Sequence, residues 1–327
     1  MAERPIRIAA VAMWASFSLR QGFVPYLIER AIGRFEAADD EHEADIVLAS
    51  VFNDRPPQYP QRTIGFVWEN QRPDFSRWRY SVSSDFDDYG GRNCRLPLWY
   101  GQLAWPGYVT TDPETKRFNH NFEAPVAIET LMAPRPLQHA NEARRFCCFV
   151  AGNAERHRMM AVDALRAVGD VDLFGNVGER PWLRSKYELL PGYRFNLCFE
   201  NSAFPGYYTE KALHAWVGGC VPLYYSDPWY GRDFNPKAIV NRIHFDTLAA
   251  FAAHVAELDR SPADYARVFA EPLLLTRPSL DGVTTFLREA CQAILATPRR
   301  PAPPRAAWHR RGLARIGRLM RKRGRRG

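Results

Sequence analysis

The sequence predicts an α/β fold with two domains. Short apolar runs bounded by turn residues alternate with segments of helical spacing, which is typical of parallel sheets rather than all-β domains. One such alternation, at residues 195–228, forms a complete strand, loop, helix and strand unit. The 327 residues suffice for two domains of ordinary size, and an apolar content of 46% excludes a disordered chain.

The first half is predicted to contain three strands and one helix, followed by a long irregular region. The strands are expected at 6–13, 44–51 and 63–68, with a helix at 24–35. Residues 68–105 are rich in aromatic residues and interrupted by glycine and proline, which indicates mostly loop. Residues 106–143 have little periodicity and are predicted to cross between domains.

The second half repeats the alternation and ends in helices. Strands are predicted at 146–150, 171–174, 195–199 and 220–225, and helices at 157–168, 182–190, 245–258, 262–269 and 280–296. Between the last two strands, Thr209 is the expected N-cap of a further helix that ends at Gly218-Gly219. The predicted units are therefore 1–143, 144–297, and a Pro-rich linker with a basic tail at 298–327.

The loop after the strand at 195–199 is the predicted ligand site. Ligands of open α/β sheets bind outside the carboxyl ends of the strands, where this loop lies. The helix start and Lys211 favour an anion such as phosphate, and Glu210 would accept hydrogen bonds from a ribose diol. The alternative is that Glu210 only complements the helix dipole and that Lys211 is a solvated lysine.

The ordered motifs FNLCFEN, YTEK, GCVPLYYSDP and DFNPKAIVN, spread over about fifty residues, resemble the donor-binding signature of the α-1,3-fucosyltransferases, glycosyltransferase family 10. FVWEN, RLPLWY and FVAGN upstream resemble the same family in the same order, and the resemblance covers most of residues 60–245. It implies the GT-B architecture, in which two doubly wound domains face a cleft. It also implies GDP-fucose as the donor and a glycan as the acceptor.

The resemblance implies roles for individual residues. By its position in FVWEN, Glu69 matches the carboxylate proposed as the base, and Arg158 matches the phosphate-binding arginine. Asn201 and Tyr207 match residues near the nucleotide-sugar, beside Glu210 and Lys211. Two alternatives stay open: Glu69 as a loop residue paired with Arg72, and a register in which Arg156 takes the place of Arg158.

Sugar transfer requires one carboxylate as a base and positively charged groups that bind the diphosphate. A base must take the proton of the acceptor hydroxyl, whereas the nucleotide leaves already anionic and needs no acid. No cofactor is required, although a divalent metal is not excluded, and the strings at 85–87 and 170–172 are interpreted as ordinary acidic loops. Aromatic side chains that could stack on acceptor sugars are Trp68, Trp78, Tyr80, Trp99, Tyr100 and Trp105.

The positive charge of the chain is concentrated in its tail. Residues 299–327 hold 12 Lys and Arg and no Asp or Glu, so the rest of the chain is mildly acidic. On a helical wheel, one arc holds Trp308, Gly312, Leu313, Ile316, Leu319 and Met320, and the opposite side holds Arg310, Arg311, Arg315, Arg318, Arg321 and Lys322. This pattern predicts that residues 306–323 bind an anionic membrane surface. Nucleic-acid binding and a disordered solubilising tail are the weaker alternatives.

The predicted location is cytoplasmic, with peripheral association with the inner membrane. The six cysteines show no metal-ligand spacing, which fits a reducing compartment, and no apolar stretch approaches the ~20 residues of a membrane span. The N-terminal apolar run reads as a strand rather than a signal peptide.

The sequence thus predicts an inverting transferase that moves L-fucose from GDP-fucose to the 3-hydroxyl of an N-acetylglucosamine-type acceptor, on lipopolysaccharide or an oligosaccharide. The fucose donor and the linkage follow from the resemblance alone. The alternatives are a different nucleotide-sugar donor within the same fold, and a non-catalytic nucleotide-binding adaptor that acts through the basic tail.

Overall fold

Two parallel sheets form the framework of the protein, in a computed structural model that describes residues 4–108, 124–141, 143–178 and 185–298. The first sheet has the order β2-β1-β3-β4-β5-β6 and the second β11-β10-β9-β7-β8, and every strand pair is parallel. In the first sheet the strands are β1 (Arg7–Val11), β2 (Glu36–Ala37), β3 (Ile46–Ala49), β4 (Thr63–Val67), β5 (Tyr80–Ser83) and β6 (Asn93–Arg95). The second contains β7 (Arg145–Ala151), β8 (Val171–Gly175), β9 (Tyr193–Leu197), β10 (Val221–Tyr224) and β11 (Val240–Asn241). The predicted α/β class with two sheets is confirmed.

Helices cover the sheets, as parallel strands with apolar residues on both faces require. Strands β3 and β4 are buried along their whole length. The described helices are α1 (Phe23–Ile32), α2 (Ile128–Met132), α3 (Arg156–Arg166), α4 (Lys186–Leu189), α5 (Lys211–Val217), α6 (Leu248–Arg260), α7 (Pro262–Ala270) and α8 (Asp281–Leu295). Helix α3 packs on α6, and α5 packs on β10, so the helices of the second half lie around the second sheet.

The last helix returns to the first sheet. Helix α8 packs against α1, and its buried side chains, among them Val283 and Leu287, join the same apolar cluster as Ile8 and Leu48. The guanidinium of Arg288 donates to the carbonyl of Ala31 at 3.2 Å. The helix predicted to complete the second domain therefore also covers the first sheet, and the boundaries proposed at residues 143 and 297 stay predictions.

The prediction that residues 68–105 are mostly loop is confirmed, but it missed two strands. Two strands of the first sheet, β5 and β6, lie in this stretch, and a 3₁₀ helix follows at Leu98–Gln102. Their sequences, YSVS and NCR, lack the apolar runs by which the other strands were recognised. Pairing with β4 on one side and burial beneath α8 determine their conformation instead.

Smaller differences concern the ends of helices and strands, two short strands, and segments that lie outside the described chain. Strand β9 begins at Tyr193 rather than 195, and the two-residue strands β2 and β11 were not predicted. Of the helix expected at 182–190 the structure describes α4, because residues 179–184 lie outside the described chain. Much of the crossing segment, residues 109–123, and the basic tail at 306–323 also lie outside it. In the described ranges no helix combines the length and apolarity needed to cross a bilayer.

Candidate active site

The predicted site residues lie where the carboxyl ends of the two sheets meet. Glu69 follows β4 by two residues, and Asn201 belongs to the loop after β9. The two sheet edges contact each other directly, since the Asn70 side-chain amide donates to the hydroxyl of Ser202. This loop, residues 200–210, also carries Tyr207 and Glu210 and ends at Lys211.

Glu69 is half-buried and is surrounded by groups from the second half of the chain. Burial raises its pKa above the usual value, and the negative charges of Glu210 and Glu200 act in the same direction. The charge of Lys211 and a hydrogen bond from Tyr207 oppose the rise without cancelling it. A carboxylate whose pKa is displaced toward neutrality is suited to accept a proton.

The alternative pairing of Glu69 with Arg72 is not what the structure shows. Arg72 instead forms a 2.8 Å ion pair with Asp85 and donates to the Asn70 side chain at 2.9 Å. Its guanidinium carbon lies 3.3 Å from the ring centroid of Phe204. Arg72 therefore contacts Asp85, Asn70 and Phe204 rather than Glu69. The groups that act on Glu69 belong to the second half of the chain.

Arg158 is buried at the start of α3 and faces the loop, whereas Arg156 is exposed. Its Nη2 donates to the carbonyl of Phe199 at 2.7 Å and to Asn201 Oδ1 at 2.6 Å. Burial lowers the pKa of Arg158, and the charge of Glu200 opposes that effect. Its Nε is buried without a hydrogen-bond partner among the described residues. Of the two arginines, Arg158 is thus the one that contacts the loop.

Glu200 is the main residue that the sequence interpretation missed. Its side chain is 0% exposed and accepts hydrogen bonds from the Thr209 amide at 2.8 Å, the Tyr224 hydroxyl at 2.7 Å and the Lys211 ammonium at 2.9 Å. Its position as the first polar residue after an apolar strand was a signal that could have found it. The polar pair Glu200-Asn201 after this strand predicts where the strand ends, and a buried carboxylate at that position also requires hydrogen-bond donors.

The same contacts correct the capping prediction. Thr209 does not cap α5, because its amide and hydroxyl both bind Glu200, and the N-cap residue is Glu210 without a side-chain capping bond. Lys211, predicted as a solvated or phosphate-facing lysine, pairs with Glu200 and also donates to the Thr209 hydroxyl at 2.8 Å.

Burial and neighbouring charges shift the pKa values of the titratable side chains in this loop. Burial alone would raise the pKa of Glu210, but the positive charges of Lys211 and Lys186 outweigh it and lower the pKa to about 2. For Lys211, burial would lower the pKa, but the charges of Glu200 and Glu210 raise it. Tyr207 is buried beside them, and burial together with the charge of Glu200 raises its pKa. At neutral pH Lys211 is therefore cationic and Glu210 is ionised.

Most of the aromatic side chains expected to stack on an acceptor are core residues instead. Trp68, Trp78, Trp99 and Trp105 are each at most 8% exposed. A concave site at the same edge of the first sheet was not predicted. It is lined by the loop after β1, the start of α1 and three more distant side chains: Trp14, Phe17, Ser18, Gln21, Gly22, Phe23, Val24, Pro25, Trp68, Leu98 and Tyr108.

The acidic strings are engaged in structural contacts. Asp85 pairs with Arg72 and accepts a hydrogen bond from the Tyr89 hydroxyl, and Asp172 pairs with Arg145 and accepts from the Tyr193 hydroxyl. Among the residues that the structure describes, no group of three or more His, Cys, Asp or Glu side chains is arranged to hold a metal ion.

Comparison with known proteins finds similarity to one enzyme family. The family model described as glycosyltransferase family 10 (fucosyltransferase) C-term matches residues 140–292. The chain is 30% identical to the α-(1,3)-fucosyltransferase FucT of Helicobacter pylori over 238 residues, which are 69% of this chain and 49% of that protein. It is 31% identical to the human 4-galactosyl-N-acetylglucosaminide 3-α-L-fucosyltransferase FUT6 over 155 residues, 46% of this chain and 43% of that protein. The chain thus spans about half the length of these curated relatives, or less.

Solved structures of α1,3-fucosyltransferases share the fold. A crystal structure with GDP-fucose superposes with a TM-score of 0.66 at 24% identity, covering 92% of this chain and 94% of that one. A crystal structure with GDP gives the same TM-score at 25% identity, covering 91% and 92%. The likeness confirms the fold class that the sequence resemblance implied.

Proposed function

We propose that the chain is a member of glycosyltransferase family 10 and an inverting α-1,3-fucosyltransferase, which transfers L-fucose from GDP-fucose to the 3-hydroxyl of an N-acetylglucosamine-type acceptor. The observation that carries the proposal is the meeting of Glu69, from the edge of the first sheet, with Tyr207, Glu210 and Lys211 from the loop of the second. A base thereby faces a cationic site across one cleft.

In the proposed reaction Glu69 accepts the proton of the acceptor hydroxyl while the hydroxyl oxygen bonds to C1 of fucose. The bond between C1 and the phosphate oxygen breaks in the same step, and its electron pair leaves with GDP. Attack from the side opposite the phosphate inverts the configuration at C1, so a single carboxylate is enough. The raised pKa of Glu69 favours this role.

Positive charge on the other side of the cleft stabilises the leaving group. Arg158 contributes its guanidinium charge beside Asn201, and Lys211 offers the ammonium proton that neither Glu200 nor Thr209 accepts. Donors already held in place cost little reorganisation when the phosphate charge develops. Glu210 and Asn201 would contact hydroxyls of the nucleotide-sugar, and the solved relative with GDP-fucose supports this donor.

The acceptor is proposed to bind on the side of the first sheet. The concave site, whose partly exposed aromatic side chains include Trp14 and Phe17, lies at the edge where Glu69 follows Trp68 in the chain. Aromatic faces with a few polar side chains, here Ser18 and Gln21, suit a sugar ring that has one apolar face and hydroxyls around it. The relatives named as α-(1,3)-fucosyltransferases support a glycan acceptor, either lipopolysaccharide or an oligosaccharide.

We propose that the tail, residues 306–323, holds the enzyme at the cytoplasmic face of the inner membrane. The support is the sequence pattern, in which the six Lys and Arg of residues 310–322 lie opposite an apolar arc on a helical wheel. The tail itself lies outside the described structure. Each Lys or Arg near an anionic leaflet is worth about 1 kcal/mol. The pattern supports a membrane surface rather than nucleic acid as the partner, because nucleic acid would not need the apolar arc.

An assay with defined donors and acceptors tests the proposal. Purified protein is incubated with GDP-fucose, GDP-mannose or UDP-galactose, each with lactosamine-type acceptors, and the product mass and linkage are determined. We expect transfer from GDP-fucose alone, with an α-1,3 linkage. Transfer from another donor would support the alternative donor within the same fold. Protein that stays folded and neither binds GDP nor transfers any sugar would contradict the enzyme hypothesis.

A further inference from the structure

We propose that Glu200 is a positioning residue, whose buried carboxylate fixes the ammonium group of Lys211 so that one of its N–H bonds faces the diphosphate of the donor. The proposal deepens the proposed function and rests on it for the identity of the ligand. The contacts of Glu200 themselves are independent of any ligand.

Glu200 is too enclosed to touch a substrate. Its carboxylate is 0% exposed, and its two oxygens accept bonds from the Thr209 amide and hydroxyl, the Lys211 ammonium and the Tyr224 hydroxyl at 2.7–3.0 Å. A carboxylate offers about four acceptor positions, so these donors saturate it. Glu200 can therefore affect the donor only through one of these partners or through its charge.

Lys211 is the partner that can reach a ligand. An ammonium group has three donor N–H bonds, of which one is directed to Glu200 Oε2 at 2.9 Å and one to the Thr209 hydroxyl at 2.8 Å. The Lys211 side chain keeps 21% exposure, whereas that of Glu200 has none. The third N–H is consequently the one left for the cleft, and its direction is fixed by the other two.

The Glu200 carboxylate also joins the two ends of the loop, which carries the other residues proposed to contact the nucleotide-sugar. Glu200 begins the loop after β9, and Thr209 and Lys211 end it, so the hydrogen bonds between them join its two ends. Tyr207 and Glu210 lie between these ends or directly beside them. A free lysine side chain loses rotamer entropy when it binds a phosphate. Because Glu200 fixes the Lys211 side chain before binding, this loss does not occur on binding.

Glu200 also sets the charge state of the site, and this gives the proposal a distinctive test. Its negative charge raises the pKa of Lys211 and contributes to raising that of Glu69. Removing that charge while keeping the shape should lower both pKa values. The charged or titratable groups that face Lys211 and Glu69 are Glu200, Glu210, Arg158, Tyr207 and His214, and burial holds the pKa of His214 near 3, so it is neutral at working pH.

The experiment compares Glu200→Gln with Tyr224→Phe as the matched control. Both variants remove one interaction of the same buried carboxylate site, but only the first removes its charge. For Glu200→Gln we expect GDP affinity to fall about tenfold or more, as for a charge-assisted hydrogen bond. We also expect both limbs of the pH profile of kcat/KM to move to lower pH, the acid limb because the pKa of Glu69 falls and the alkaline limb because the pKa of Lys211 falls. Tyr224→Phe should lower Tm while both limbs stay in place.

The outcomes separate the role of Glu200 from the proposed function. Wild-type protein without GDP binding and without transfer would overturn the proposed function. If the wild type does both, a Glu200→Gln variant with unchanged GDP affinity and unmoved pH limbs would overturn the role of Glu200 alone. Equal shifts of the limbs in both variants would also overturn it, because a purely structural defect would then explain them.

A double variant keeps the test decisive if Glu200→Gln does not fold. Glu200→Gln/Lys211→Met removes both charges of the buried pair and so avoids leaving one of them uncompensated. If Glu200 acts through Lys211, the double variant should bind GDP as Lys211→Met does. A further tenfold loss of GDP affinity in the double variant would show that Glu200 acts by another route, and the proposal would fail.

Discussion

A single carboxylate at the edge of the first sheet carries the proposed chemistry, so Glu69 provides the most direct residue-scale test. We expect Glu69→Gln to lower turnover by about 10² to 10⁴, because glutamine keeps the shape but cannot accept the proton. GDP binding, measured by calorimetry, should stay as in the wild type. A variant that retains more than about half of the wild-type turnover would show that Glu69 is not the base.

The pH dependence of wild-type activity provides a second test of Glu69 as the base. Burial and the charges of Glu210 and Glu200 raise the pKa of Glu69, and a base works only when deprotonated. Activity should therefore fall as the pH drops through this raised pKa, at a higher pH than for an ordinary glutamate. The limb should be absent from the residual activity of Glu69→Gln. If Glu69→Gln retains the same limb, another group is responsible for it.

Arg158 and Arg156 form a natural pair for testing the phosphate clamp. Arg158 is buried against Asn201 and the Phe199 carbonyl, whereas Arg156 is exposed. Arg158→Lys keeps the charge but loses the forked geometry, so we expect a loss of about tenfold or more in kcat/KM for the donor. Arg156→Ala serves as the control and should change this value less than twofold. The reverse pattern would assign the clamp to Arg156.

At the scale of elements, the loop after β9 depends on one glycine that allows close approach to the first sheet. Gly206 has a φ of +88°, and a Cβ placed on it would lie 2.1 Å from the carbonyl oxygen of Ser84. Gly206→Ala should destabilise the protein by more than about 1 kcal/mol and lower turnover, since the loop must move away from the cleft. Urea unfolding and the transfer assay measure both effects.

Gly192→Ala is the matched control for this prediction. Gly192 has an ordinary φ, and a Cβ there would meet no atom within 4 Å. Its stability and turnover should stay close to those of the wild type. Similar losses in both variants would mean that the contact with Ser84 does not determine the position of the loop.

The sequence predicted the elements whose side chains are apolar and failed where tertiary contacts decide. Strands β3 and β4 were found because a buried parallel strand needs a continuous apolar run. Strand β5 was missed because its YSVS sequence has no such run and its burial comes from neighbours distant in the chain.

The candidate site shows the same division between local and long-range information. Motif order located Glu69 and Lys211, since spacing along the chain is visible in a sequence. Spacing could not show that Lys211 pairs with Glu200, or that Thr209 binds the same carboxylate instead of capping α5. These contacts depend on a loop that folds back on itself, and several conformations of such a loop would satisfy the local preferences equally well.

At the scale of the whole molecule, one buried ion pair connects the two sheets beside the cleft. Asp233, after β10, accepts a 2.9 Å bond from Arg95 at the end of β6 and a 2.8 Å bond from the Trp99 indole. Asp233→Asn leaves the Arg95 charge without its partner. We expect a loss of about 1 to 3 kcal/mol in the free energy of unfolding, measured in urea.

An exposed ion pair supplies the control for Asp233. Glu129 pairs with Arg277 at 2.7 Å, but its side chain is 69% exposed, so water screens the interaction. Glu129→Gln should leave the free energy of unfolding close to that of the wild type. If the two variants lose the same amount, burial of the Asp233 pair does not contribute to holding the sheets together.

The basic tail is the part of the molecule where a sequence pattern alone makes the prediction. Truncation after Thr297 should release the protein from anionic vesicles in flotation at low salt, while activity on soluble acceptors stays largely intact. A second variant, Leu313→Ser/Leu319→Ser, keeps every basic residue and interrupts the apolar arc. It should float less well than the wild type, because a surface helix needs apolar burial as well as charge. Full-length protein that stays at the bottom of the gradient, or floats equally well without its tail, would contradict the membrane proposal, and unchanged flotation of the serine variant would leave charge as the sole attraction and contradict the amphipathic helix.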